Sequence, residues 1–116
     1  MAGELSIVVS VAFNKGGIST QRSESISVDV AGDAFTHQVQ AIPTSDTALL
    51  EGVAIGTPGY IFIKNLDSSN FVTVGLTTSY AIKLLAGEVA LFRAAGAIYV
   101  LADSGTCNVE YWMIEL

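Results

Sequence analysis

Apolar and polar residues alternate along the first stretch of the chain. Leu5, Ile7, Val9, Val11 and Phe13 fall on one face, and Glu4, Ser6, Ser10 and Ala12 on the other. A period of two over this length predicts a half-buried strand. Asn14-Lys-Gly-Gly17 ends it, because glycine takes the positive φ that a tight turn requires. Alternation resumes from Ser25 to Ala31, with Ile26, Val28 and Val30 inward and Ser25, Ser27 and Asp29 outward. Gly32-Asp33 reads as a hairpin turn. It leads back into a strand from Ala34 to Ile42, on which Phe35, His37, Val39 and Ala41 share a face. Pro43 ends that strand by removing a ladder donor.

Thr47 to Leu50 reads as one more short strand, and Gly52 to Gly59 as a loop. From Tyr60 the pattern becomes denser and alternates less, as expected of strands covered on both faces. Asp67-Ser-Ser-Asn70 makes a turn whose side chains bond their own backbone. Strands follow at Phe71–Leu76, Tyr80–Leu84, Val89–Arg93, Ile98–Ala102 and Thr106–Glu115. Ile82, Leu85, Val89 and Phe92 also fit a helical face, but Gly87 in its middle costs such a helix about 1 kcal/mol. Ala86-Gly87-Glu88 fits a turn between two strands instead. Many short strands spaced near ten residues apart predict an all-β protein. The expected architecture is an antiparallel β-sandwich, jelly-roll-like, of about eight or nine short strands in a single domain over residues 1–116.

Composition changes this picture in one respect. Hydrophobic residues make up 51% of the 116 and charged residues only 14%, against about 25% charged in an ordinary domain. A chain this small leaves roughly a third of its unfolded surface exposed. Some of those apolar groups are therefore expected to face another copy or a partner. The formal charge of −6 comes from eleven carboxylates against five basic residues. Lys15, Arg22, Lys64, Lys83 and Arg93 are scattered singly, so no basic stripe exists to displace phosphate counterions, and nucleic acid is not an expected partner. Nor is a membrane: Leu5–Phe13 lacks a basic flank, and no run approaches the ~18 apolar residues a bilayer demands. The expectation is a soluble, intracellularly made chain.

The residue types that do chemistry are sparse. His37 stands alone mid-strand, with no second histidine for a metal set. Cys107 has acidic neighbours in Asp103 and Glu110, which oppose a reactive thiolate. Asp29 with Asp33, and Glu110 with Glu115, sit on predicted solvent faces or turns and read as solubilising charge. Asp67-Ser-Ser-Asn70 supplies one carboxylate where calcium needs several. No catalytic, cofactor or metal residue is expected. Tyr60, Tyr80, Tyr99, Tyr111 and Trp112 are candidates for a sugar platform, but most lie in apolar strands where core roles are ordinary. Terminal strands commonly lie at sheet edges. Leu5 to Phe13 and Tyr111 to Leu116 are thus the segments expected to meet another chain, with Leu5, Ile7, Val9, Tyr111 and Trp112 as the interface residues.

The segments Ile63-Lys-Asn-Leu-Asp67, Asn70-Phe-Val-Thr-Val-Gly75, Leu84-Leu-Ala-Gly-Glu-Val-Ala-Leu-Phe-Arg93 and Val109-Glu-Tyr-Trp-Met-Ile-Glu115 together resemble small β-structured virion proteins of tailed bacteriophages. Those proteins pair an Asn-Leu-Asp turn with a Gly-Glu-x-Ala-Leu-Phe-Arg strand and a closing Glu-Tyr strand. The resemblance covers residues 60–116 and implies no catalytic residue. It implies a capsid decoration (cement) protein: a homotrimer made in the bacterial host cytoplasm that clamps the major capsid protein at the virion surface. A tail or tail-tip component and a carbohydrate-binding surface module are the alternatives.

Overall fold

The computed structural model describes residues 3–52 and 55–115. Among them ten strands form, all paired antiparallel, in two compact units, Met1–Ala31 and Gly32–Leu116.

The first unit is a hairpin of β1 (Leu5–Lys15) and β2 (Ile18–Val28). Its ladder runs without a break from Leu5 opposite Val28 to Lys15 opposite Ile18. Gly16 and Gly17 alone make the loop, with φ of 59° and 83°. Positive φ at both central positions is the type I′ geometry, whose twist matches that of the flanking strands. At the open end, the Gly3 amide donates to Asp29 Oδ1 at 2.7 Å and the Val30 amide to Glu4 Oε1 at 3.0 Å. This corrects the strand expected at Ser25–Ala31. It is the end of a strand reaching back to Ile18, and Gly32-Asp33 is no hairpin turn. Two adjacent glycines satisfy the I′ requirement without steric cost, so the Gly16-Gly17 turn captures β2. Gly32 is instead crowded by the Glu115 side chain.

The second unit holds β3 (Phe35–Ile42), β4 (Thr47–Ala48), β5 (Pro58–Asn65), β6 (Val72–Leu76), β7 (Ser79–Leu84), β8 (Val89–Arg93), β9 (Tyr99–Ala102) and β10 (Cys107–Glu115). They form two four-stranded sheets, in the orders β3-β10-β5-β8 and β4-β9-β6-β7. The pairings nest: β6 with β7, β5 with β8, β4 with β9 and β3 with β10. The chain from β3 to β10 is thus one long hairpin with its tip at Thr77-Thr78, folded over so that successive pairs alternate between the sheets. Residues 53–54, part of the expected Gly52–Gly59 loop, lie outside the described residues. The loop also ends earlier than expected, because Pro58 already opens β5. A first strand position suits a residue with no amide to donate.

One apolar cluster joins the sheets. Ile42, Ile61, Ile63, Val109, Tyr111 and Met113 come from one, and Val72, Val74, Leu84, Val100 and Ala102 from the other. Asn65 is buried beside them and fully bonded. Its Nδ2 donates to the carbonyls of Asn70 (2.9 Å) and Leu84 (3.1 Å), and its Oδ1 accepts from the Asp67 amide (2.9 Å). A buried amide so satisfied ties three chain segments together. The Tyr80–Ala95 region forms two strands with Gly87 at the turn, as its glycine indicates. They enter different sheets, however, and do not pair with each other.

One expectation about exposure fails. The closing strand β10 is no edge: it lies between β3 and β5, with both backbone ladders occupied. Phe35, His37, Val39 and Ala41 do share a face, but that face is open to solvent. Beneath them the inward Thr36, Gln38 and Gln40 bond the backbone of the 48–51 segment: Thr36 Oγ1 to Glu51 O, Gln38 Nε2 to Leu50 O and Gln40 Nε2 to Ala48 O. Backbone acceptors under the strand hold its polar residues inside, and the alternation then turns its apolar residues out.

Candidate functional site

The outer face of the β3-β10-β5-β8 sheet is built by register. Trp112 stands opposite His37 on one side and Phe62 on the other, and Phe62 opposite Leu91. These four form a row across the sheet. The next row is Val39, Glu110, Lys64 and Val89, and the row beyond Trp112 includes Phe35, Ile114, Tyr60 and Arg93. Trp112 is 49% exposed and Phe35 65%. The dense pattern from Tyr60 therefore marks strands covered on one face whose other face is apolar and bare, rather than strands covered twice.

Two polar side chains on this face are tied to neighbouring rings. His37 Nε2 lies 2.8 Å from Glu110 Oε2, and its ring meets Trp112 edge-on with centroids 4.9 Å apart. The Arg93 guanidinium sits over the Tyr60 ring at 5.7 Å. The face is thus aromatic and aliphatic with a few charges among its rings.

The hairpin offers a second such face. Leu5, Ile7, Val9, Val11 and Phe13 line up with Val28, Ile26, Glu24, Arg22 and Thr20 opposite them. The other face pairs Ser6 with Ser27, Val8 with Ser25 and Ser10 with Ser23. Ile7 is 8% exposed, yet Val11 is 60% exposed and Phe13 and Ile18 are likewise open. Arg22 and Glu24 form an ion pair of 2.7 Å within this face.

The expected interface residues thus divide. Val9 and Trp112 lie exposed, each on its own apolar face, while Leu5 is half-buried and Ile7 buried. Tyr111 is fully buried: its hydroxyl donates to the Leu50 carbonyl at 2.6 Å, with Gln40 Oε1 at 3.1 Å as a second acceptor. Burial pushes the Tyr111 hydroxyl up to about 12. Phe35, Val39, Phe62 and Leu91 were missed, although they are visible in sequence as the alternate positions to those in the core.

The remaining polar features are structural. Asp67 Oδ2 accepts the amides of Asn70 (2.6 Å) and Ser69 (3.0 Å), and these bonds hold its carboxyl below the usual range. Burial, then the charges of Asp67 and Asp103, push the Cys107 thiol up, which leaves it protonated and inert. Among the described residues no three His, Cys, Asp or Glu side chains are grouped to hold a metal ion. No protein-family model, no curated protein and no solved structure matches this chain.

Proposed function

We propose that this chain is a structural virion protein of a tailed bacteriophage, a capsid decoration protein that assembles with its own copies as a trimer. It binds the major capsid protein on the exterior of the head and strengthens the joints between capsomers. The observation that carries this reading is the pair of bare apolar faces, one centred on Trp112 and Phe62, the other running from Val9 to Ile18. Contiguous apolar surface on this scale belongs to proteins that are covered by others in their working state.

We read the eight-stranded unit as a jelly-roll sandwich. The nested pairing and the orders β3-β10-β5-β8 and β4-β9-β6-β7 support this, and viral capsid domains are among the common users of that double-sheet arrangement. The segments that resemble phage virion proteins supply the end of β5, most of β6, and β8 and β10, including Leu91 and Trp112 of the apolar face. Added subunits that bind only the assembled lattice stabilise it by mass action.

Light scattering coupled to size exclusion, followed by co-sedimentation with expanded heads, tests this function. The expected results are a trimeric mass, saturable attachment to the heads and higher heat resistance of decorated heads. Heads equally heat-resistant with and without the protein would remove the stabilising role. Labelling confined to the tail would remove the capsid location.

A further inference from the structure

We propose that the apolar face of the β1–β2 arm docks on the outer face of the β3-β10-β5-β8 sheet of a second copy of this chain, so that each copy gives one arm and receives one. The inference rests on the self-assembly part of the function proposed above and not on its virion setting.

Size is the first support. Eleven residues per strand at about 3.4 Å rise, on two strands about 4.8 Å apart, give the arm a footprint of about 360 Å². Four strands of up to nine residues give the sheet face about 500 Å² by the same spacings, enough to receive it. One arm on one sheet covers about 720 Å² counted on both partners. A reciprocal pair of copies covers about 1,400 Å², within the ~1,200–2,000 Å² typical of stable specific interfaces. In a ring of three, each copy takes part in two arm-on-sheet contacts. A hairpin alone in water is marginal, so the arm gains most from such a cover.

Chemistry is the second. The arm brings aliphatic side chains, Val9, Val11 and Ile18, with Phe13. The sheet brings the rings of Trp112, Phe62 and Phe35, the kind of anchor on which interfaces concentrate their energy. Charges of both signs sit on each face: Glu24 pairs with Arg22 on the arm, and on the sheet Glu110, bonded to His37, stands across the ladder from Lys64. Opposed in reverse order, the two couples neutralise each other. Arms stacked on arms would leave the Trp112 face bare; arm on sheet covers both faces with one contact.

Two measurements decide it. Val11→Asp on the arm and Phe62→Asp on the sheet change exposed positions, so each is expected to keep its β circular dichroism and fall to the monomer mass. Either variant retaining the wild-type oligomer would overturn the docking. Second, chains carrying Val9→Cys are co-expressed with size-tagged chains carrying Phe62→Cys and mildly oxidised, the native Cys107 being buried. A disulfide joining the two kinds of chain is the expected product. Disulfides only between two Val9→Cys chains, or none in a protein that keeps its oligomeric mass, would overturn the docking while leaving self-assembly standing. A monomeric wild type would sink both.

Discussion

The arm and the double sheet are built from strands of one kind, yet only the double sheet buries its alternating apolar residues within the chain. In β10, Val109, Tyr111 and Met113 alternate with Asn108, Glu110 and Trp112, and the first three are at most 1% exposed. In β1, Ile7, Val9 and Val11 alternate with Ser6, Val8 and Ser10, and the apolar set is bare beyond Ile7. β10 has a second sheet across the core, contributing Val72, Val74 and Val100. Within its own unit the hairpin has a ladder and no second sheet. Backbone pairing satisfies amides and carbonyls; it does not remove side chains from water. An alternating pattern therefore specifies a face, and topology decides what covers it.

The largest effect that would break this contrast is a charge placed on each strand. Val109→Asp puts a carboxylate where the site is fully buried. It is expected to destabilise the body by more than about 4 kcal/mol in urea unfolding, the range of an unpaired buried charge. In the monomeric Phe62→Asp background, Val11→Asp is expected to move the same transition by less than about 0.5 kcal/mol, as surface changes do. Equal losses would show that the arm is as covered as the core.

A smaller effect sharpens the core side. Tyr111→Phe removes the bond to the Leu50 carbonyl and is expected to cost about 1 kcal/mol. It also changes the alkaline limb. The folded Tyr111 hydroxyl ionises near 12 against an ordinary 10.0, so only the unfolded chain loses this proton between those values. Stability from this group is complete below pH 10.0 and falls as pH rises toward 12. Melting curves of wild type and Tyr111→Phe are expected to converge across that window. Parallel curves would mean that Tyr111 titrates alike in both states.

The smallest effect lies in a loop of the body. The Asp67 carboxyl is held below its ordinary 3.8 by the Asn70 and Ser69 amides. Its contribution is complete above 3.8 and is lost as pH falls below it, through the lowered folded value. Asp67→Asn is expected to flatten this acid limb, seen as melting temperature against pH, and to leave the alkaline limb unchanged. An unaltered acid limb would assign it to other carboxylates.

Much of this was readable from residue order, and the failures have physical causes. Strand positions from Phe71 onward follow from glycines and Asx turns, which act locally. The all-β, antiparallel character follows from the same signals. The partner of each strand is a long-range property: β2 pairs backward to β1 because Gly16-Gly17 makes the better I′ turn, and Gly32-Asp33 looked equally plausible without that competition. The inward glutamines of β3 escape any hydropathy rule, since their acceptors are backbone carbonyls of the 48–51 segment. The exposure of Trp112 fits its choice as an expected interface residue, but the edge-strand reason for that choice fails. It is exposed on the face of a central strand, and its neighbours Phe62 and Leu91 come from chain segments 20–50 residues away.

The nested ladder of the body also bears on how the chain is made. β10 forms the middle of its sheet, bonded on one side to β3 and on the other to β5, and the Glu115 amide reaches back to the Ala34 carbonyl. During synthesis, β3 and β5 emerge well before the strand that joins them, so they wait on the ribosome with open edges. The arm's contacts are local to one turn, and it can close as soon as Val28 has left the exit tunnel. Contacts this distant in sequence form late and slowly, so a cell making the protein in quantity holds a transient pool of chains with a closed arm and an unfinished body. Such intermediates are prone to aggregate, and the serine ladder on the arm's other face and the net charge of −6 keep that pool apart.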